Sequence, residues 1–326
     1  MVRTLRKFTI AASFSLLLSP LMAQEVDYPR DTSYTLHSAF QKYVKRHPFI
    51  KIVKAEIPED VAKKEDLVYR QLGNRDLKLD VYYPAQKKEK YPAVLLVHGG
   101  GWRTGDPSLL EPMAQRLAAE GYVTILPEYR LSLEAPYPAA LHDLKAAVRW
   151  LRTQSQEFPI DTAKVAVLGA SAGGQLAALL GTTSGLPKFE GEGGNNQYSS
   201  AVQAIVDIDG VLAFHHPESE EGSMAAQWLG GTYEEVPENW EEASALRHAG
   251  SQTPPMLFIG SAFPRFLAGK NDMLKILNQY DIYTESYTLP EAPHSFWLFH
   301  PWFEPTLDYT LGFLDRVLKE KEVELK

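Results

Sequence analysis

The chain has 326 residues, 44% hydrophobic and 23% charged, which suits one or two globular cores and excludes a disordered or fibrous protein. Its net charge of -8 comes without a basic block, which argues against a nucleic-acid-binding surface. There is no cysteine, so disulfides, cysteine metal sites, a lipoprotein anchor and a cysteine nucleophile are excluded.

Arg3, Arg6 and Lys7 precede an apolar run from Phe8 to Leu18, then Ser19, Pro20 and a possible cleavage point after Ala23. This layout predicts a secretory signal peptide over residues 1–23, too short to span a bilayer comfortably, and a periplasmic or secreted mature protein with no membrane span. An uncleaved anchor is the competing reading, disfavoured by Pro20 breaking the segment. Residues 24–60 read as an N-terminal extension packed on the main domain, with one helix within Ser33 to Arg46 before Pro48.

Residues 61–326 read as a single domain. From Leu67 the pattern is strand, strand, then alternating strands and helices, which predicts a mostly parallel sheet covered on both faces. Short apolar runs at Ala93–Val97, Val123–Leu126, Val165–Leu168, Ala204–Ile208 and Met256–Ile259 predict buried strands. Helical spacing marks Met113–Glu120, Ala139–Gln154 and Gly173–Leu180. Residues 211–252, weak in strand signal and with several Pro, Gly and Trp residues, read as a lid-like insertion after the sixth strand.

Two glycine-rich segments carry chemistry. The apolar run Ala93–Val97 passes into His98-Gly99-Gly100-Gly101-Trp102, where glycines let backbone N–H groups converge on one point. The strand Lys164–Leu168 runs into Gly169-Ala170-Ser171-Ala172-Gly173-Gly174 and then a helix. That is the G-x-S-x-G elbow in the context it needs, with Ser171 as nucleophile and the N–H groups of Gly100, Gly101 and Ala172 as the oxyanion hole. A phosphate-cradling loop is the competing reading, but no G-K-[ST] follows. His98 reads as structural.

These segments, with Glu128 to Ser132, Tyr137-Pro138-Ala139-Ala140 and Asp143, resemble the hormone-sensitive-lipase-like and feruloyl-esterase-like carboxylesterases. The resemblance implies the α/β-hydrolase fold, ester hydrolysis and no cofactor or metal. It also implies a general base in the loop after the last strand, where Pro293-His294-Ser295-Phe296 stands, so His294 takes that role ahead of nearby His300. The family normally places the acid shortly after the strand that here ends at Gly260, yet Ser261, Ala262, Phe263, Pro264 and Arg265 follow. Three replacements remain open: Asp209 at the end of the preceding strand, ranked first because some lipases of this fold carry it there; Asp272; and Glu304. Asp207, on the opposite pleat, reads as structural.

The substrate is a finer inference. Trp102, Trp297, Arg103 and Arg265 are candidate substrate contacts: aromatic faces for a sugar ring or an aryl acid, cations for a carboxylate. Core packing and a surface salt bridge are the competing explanations for Trp297 and Arg103. The turn Ala262-Phe263-Pro264-Arg265-Phe266, together with the aromatic stretch from Phe296 to Pro305, bears a looser similarity to bacterial carbohydrate esterases, including pectin esterases, which implies removal of methyl or acetyl groups from plant cell-wall polysaccharide or oligosaccharide, pectin ahead of xylan. Acetylxylan or feruloyl esterase activity is the alternative. A serine peptidase of the same fold, or an inactive carbohydrate-binding relative, is the alternative from another class.

Overall fold

In a computed structural model that describes residues 28–86 and 90–319, runs of aliphatic residues too short for helices form the middle of one sheet. The expected signal peptide lies outside the described residues. The chain runs α1 (Leu36–Tyr43), β1 (Lys51–Ile52), β2 (Val61–Leu72), β3 (Arg75–Pro84), β4 (Tyr91–Val97), α2 (Glu111–Ala119), β5 (Val123–Pro127), α3 (Ala139–Thr153), β6 (Ile160–Ala170), α4 (Ala172–Thr182), α5 (Pro187–Glu190), β7 (Ala204–Ile208), α6 (Ser223–Leu229), α7 (Pro237–Glu242), β8 (Met256–Gly260), α8 (Lys270–Gln279), β9 (Thr284–Thr288), β10 (Phe299–His300) and α9 (Phe303–Leu314).

The large sheet has the order β2-β3-β5-β4-β6-β7-β8-β9. β2 and β3 form an antiparallel entry, β3 is antiparallel to β5, and every pair from β5 onward is parallel. In β4, Ala93, Leu95 and Val97 pack with α3 and α4, while Val94 and Leu96 pack with α2 and α9. Burial on both faces explains why the strand is an unbroken apolar run rather than an alternating one. This is the mostly parallel, helix-covered sheet expected, in the α/β-hydrolase arrangement. Between β7 and β8, the sixth and seventh strands of the large sheet, the chain makes loops and the short helices α6 and α7.

The N-terminal helix is shorter than expected. Thr35 caps it, its side chain accepting from Ser38 N–H at 3.1 Å while Ser38 Oγ accepts the Thr35 N–H at 2.8 Å. Before Thr35 the chain is extended, because Asp31 forms a parallel bridge with Thr104. Further on, β1 pairs with β10 in a small second sheet. Among the described residues no helix is long and apolar enough to cross a membrane.

Candidate active site

Strand ends and their following turns place the site, at the C-terminal edge of the parallel sheet where ligands of open α/β sheets bind. β6 passes into α4 through Ser171, held at φ 57° and ψ -124°. The flanking glycines are required: a Cβ on Gly169 would lie 1.9 Å from Gly173 O, and one on Gly173 would lie 2.0 Å from Val97 O. Side chains there would prise the turn open, so the strained serine is sustained by close backbone packing. Gly100 and Gly101, at φ 131° and 60°, bring the 98–104 loop back toward the serine. The N–H groups of Gly100, Gly101 and Ala172 have no backbone acceptor among the described residues, and these three residues border one cleft with Ser171.

Across that cleft, His294 Nε2 lies 2.8 Å from Ser171 Oγ and its Nδ1 lies 2.9 Å from Asp209 Oδ2. The tautomer that satisfies both contacts carries its proton on Nδ1, donating to the carboxylate and leaving Nε2 to accept from the serine. Asp209 is fully buried, with a left-handed backbone at φ 51°, and its Oδ1 accepts the Ser261 N–H at 2.7 Å. The loop that lacks the usual acid therefore supplies a donor that orients the acid from the neighbouring strand. The same loop supplies Phe266, whose ring stacks on His294 at 3.6 Å and 13°. Trp297 meets the imidazole edge-on at 5.3 Å. The histidine is thus clamped in plane by a face and an edge.

The other two acid candidates stand elsewhere. Asp272 pairs with His216 at 3.1 Å and Lys275 at 2.7 Å, and Glu304 receives two bonds from Arg116 at 3.2 and 3.1 Å. His300 lies in the small sheet, 3.9 Å from Glu304. Asp207 is buried on the other pleat, accepts the Gly210 N–H, and is pushed well above the usual carboxylate range by burial. His98 stacks on Tyr129, its Nδ1 donates to Gly99 O, and burial lowers its basicity, in keeping with a structural residue.

The expected substrate contacts need correction. Trp102 borders the cleft, but its ring is 3% exposed, stacks on Trp228 at 5.1 Å and donates to Gln175. Packing of Trp102, Trp228 and Phe214 together beneath the glycine loop takes the ring out of solvent. Trp297 is likewise buried and serves the histidine, as Phe296, Phe299, Trp302 and Phe303 serve the core. Arg103 points away, bonded to Asp31 at 2.7 Å and Gln227 at 2.6 Å. Arg265 does border the cleft, lying 4.2 Å above Phe266 with its charge 3.6 Å from Glu220.

The remaining wall comes from the insertion that the sequence marked and from the N-terminal segment, which the sequence did not place at the site. The cleft, about 630 Å³, is bordered by Ser33, Tyr34, Ser38 and Lys42 of the N-terminal segment and by Glu220 to Met224 of the insertion. Asp31 and Tyr34 act as a tie: Thr104 Oγ1 donates to Asp31 O at 2.6 Å, and the Tyr34 hydroxyl lies 2.8 Å from Ser295 Oγ, next to His294. Burial pushes the Tyr34 phenol up to about 12, so it stays protonated. The amphipathic pattern of residues 33–46 could have announced a buried face, but not which surface covers it.

Comparison with known proteins agrees with this reading of the fold. Carboxylesterase NlhH of Mycobacterium tuberculosis is 36% identical over 109 residues, 33% of this chain and 34% of that protein. Esterase LipC of the same organism is 30% identical over 174 residues, 52% of this chain and 43% of its own. The chain thus matches a third to under a half of the length of these curated relatives. Among solved structures, a truncated carbohydrate esterase from gut microbiota superposes with a TM-score of 0.69 at 22% identity, covering 79% of this chain and 99% of that one. The propionate-bound esterase Est2 of Thermogutta terrifontis gives 0.65 at 25% identity, over 81% and 98%. The BD-FAE family model matches residues 79–263, more than half of the chain, and takes in the glycine loop, Ser171 and Asp209. On that match, and on the sheet order and strand-end constellation above, the chain is a member of the BD-FAE family of α/β-hydrolases.

Proposed function

We propose that the chain is a serine carboxylic ester hydrolase that removes small ester groups from a plant cell-wall polysaccharide. The observation that carries the reaction class is the continuous line Ser171–His294–Asp209 facing the free N–H groups of Gly101 and Ala172 across an open cleft. Ser171 Oγ attacks the ester carbonyl as its proton passes to His294 Nε2; Asp209 holds the imidazolium that results. The tetrahedral oxyanion accepts from the N–H groups of Ala172 and of the Gly100–Gly101 turn. His294 returns the proton to the departing alkoxide, leaving an acyl group on Ser171. Water then attacks that acyl-enzyme, giving its proton to His294, and the serine is regenerated as the acid departs.

A glycan ester is supported by the polar side chains of Ser33, Ser38, Lys42, Glu220, Glu221 and Arg265 that line the cleft, which suit sugar hydroxyls. The T. terrifontis esterase, at 25% identity, has propionate bound, which favours a short acyl group here. The charges bear equally on acetyl and methyl esters: Glu220 and Glu221 oppose the free uronates of a partly esterified pectin, while Lys42 and Arg265, the latter 3.6 Å from Glu220, attract them. The short acyl group therefore puts an acetyl ester first and pectin second. The leader pattern at residues 1–23 supports a periplasmic or secreted setting.

Acetate and methanol, measured separately after incubation with acetylated xylan and with pectin, test the reading. Acetate release that vanishes in Ser171→Ala is expected. Release of neither product from either polymer would overturn the substrate, and equal turnover of p-nitrophenyl acetate by wild type and Ser171→Ala would overturn the reaction class.

A further inference from the structure

Glu221, Gly222 and Ser223 border the catalytic cleft on one side and a second cleft, about 860 Å³, on the other. Three consecutive residues of the insertion therefore form a saddle between two open depressions. The far wall of the second cleft is aromatic. His215 is exposed, its ring stacks on Tyr233 at 3.7 Å and 6°, and Trp240 meets Tyr233 edge-on behind it. His215 hydrogen-bonds to none of the described residues, whereas the adjacent His216 is fully engaged, its Nε2 with Asp272 and its Nδ1 with the Glu218 N–H. One imidazole is thus part of the scaffold and the other presents a free face.

The saddle carries a second group that bonds to none of the described residues. No described donor reaches the Glu221 carboxylate; Arg265 acts on it only through its charge, from the catalytic side. A half-buried carboxylate without a partner wants hydroxyl donors, and an exposed ring backed by a stacked phenol wants an apolar face. A sugar ring offers both, equatorial hydroxyls around its rim and C–H bonds on its face. Free aromatic acids or lipids would satisfy the ring and leave the carboxylate bare.

We propose that the second cleft is a distal glycan subsite: a polysaccharide held by its ester at Ser171 crosses the saddle, donates hydroxyls to Glu221, and lays a neutral sugar ring on His215. This deepens the polysaccharide reading and rests on it. It gives a polymer an advantage over a short ester without any new contact at the reacting carbonyl.

The test uses acetylated xylo-oligosaccharides of one to six units, with p-nitrophenyl acetate as the short ester. For the wild type, kcat/KM is expected to rise about tenfold with chain length, since one stacked ring and its hydroxyl bonds suffice for that. In His215→Ala the rise should flatten while p-nitrophenyl acetate turnover is unchanged. The same length dependence in both proteins would overturn the subsite. Binding of unacetylated xylohexaose to the Ser171→Ala protein by calorimetry reads the cleft without turnover: weakening by His215→Ala is expected, and equal affinity with and without His215 overturns it. Turnover of p-nitrophenyl acetate with no action on any acetylated glycan would instead sink the polysaccharide reading.

Discussion

Phe266 lies flat against His294 with Arg265 stacked on its ring, so a guanidinium, a phenyl and an imidazole gather beside the nucleophile. Positioning of this kind acts on the chemical step, because a slight tilt of the imidazole misaims Nε2 at the serine hydroxyl. Phe266→Leu, which keeps bulk but loses the flat face, is expected to lower kcat on p-nitrophenyl acetate about tenfold with KM little changed; initial-rate kinetics check it. At this scale the sequence was legible where a backbone shape dictates the residue. Gly169 and Gly173 announce Ser171 because no side chain fits there. Asp209 was legible only as one of three acids, since which carboxylate reaches His294 depends on strand neighbours far apart in sequence. Trp297 and Arg103 misled and Trp102 did so in part, because an indole or guanidinium beside a motif looks the same whether it faces the cleft, the core or a surface ion pair.

The N-terminal segment shows what the element scale adds. Residues 31–34 bridge the glycine loop at Thr104 and the histidine loop at Ser295, two stretches far apart in the chain. The strap lies outside the matched family region, residues 79–263, as does His294. Tyr34→Phe is expected to lower kcat roughly three- to tenfold with little change in KM, because the lost bond frees the loop that carries the base. Ser295→Ala should do the same, and the double variant should be no worse than either single one, the signature of a shared bond. Additive losses would show that the two hydroxyls act separately. The helix at residues 36–43 was legible as a helix. Its address over the cleft was not, because periodicity reports that one face is buried and nothing about what buries it.

For the molecule as a whole, the strand runs and the alternation of strands with helices were sufficient to read the sheet, since a doubly covered parallel sheet leaves unbroken apolar runs in the chain. Folding also takes three histidines, His98, His142 and His248, out of water, and burial lowers the basicity of each. Their folded values lie below the unfolded 6.5, so the unfolded chain binds more protons as pH falls beneath that point. Stability from these groups is present above pH 6.5 and lost below it, at up to about 1.4 kcal/mol per pH unit for fully buried His98. Solvent screening makes the share of His142 and His248 smaller. The fall in urea unfolding midpoint between about pH 7 and 5 should therefore be smaller in His98→Asn than in wild type, a comparison that leaves the opposite-signed contribution of buried Asp207 in both proteins.

The central claim is that Asp209, from the end of β7, has taken over the acid's work from the loop after β8. The most direct measurement is kcat/KM for p-nitrophenyl acetate in Asp209→Asn beside Asp272→Asn. An amide at position 209 would favour the wrong imidazole tautomer, so a loss of about 10⁴-fold is expected there and none at 272. Wild-type rates in Asp209→Asn, or a comparable loss in Asp272→Asn, would contradict the account.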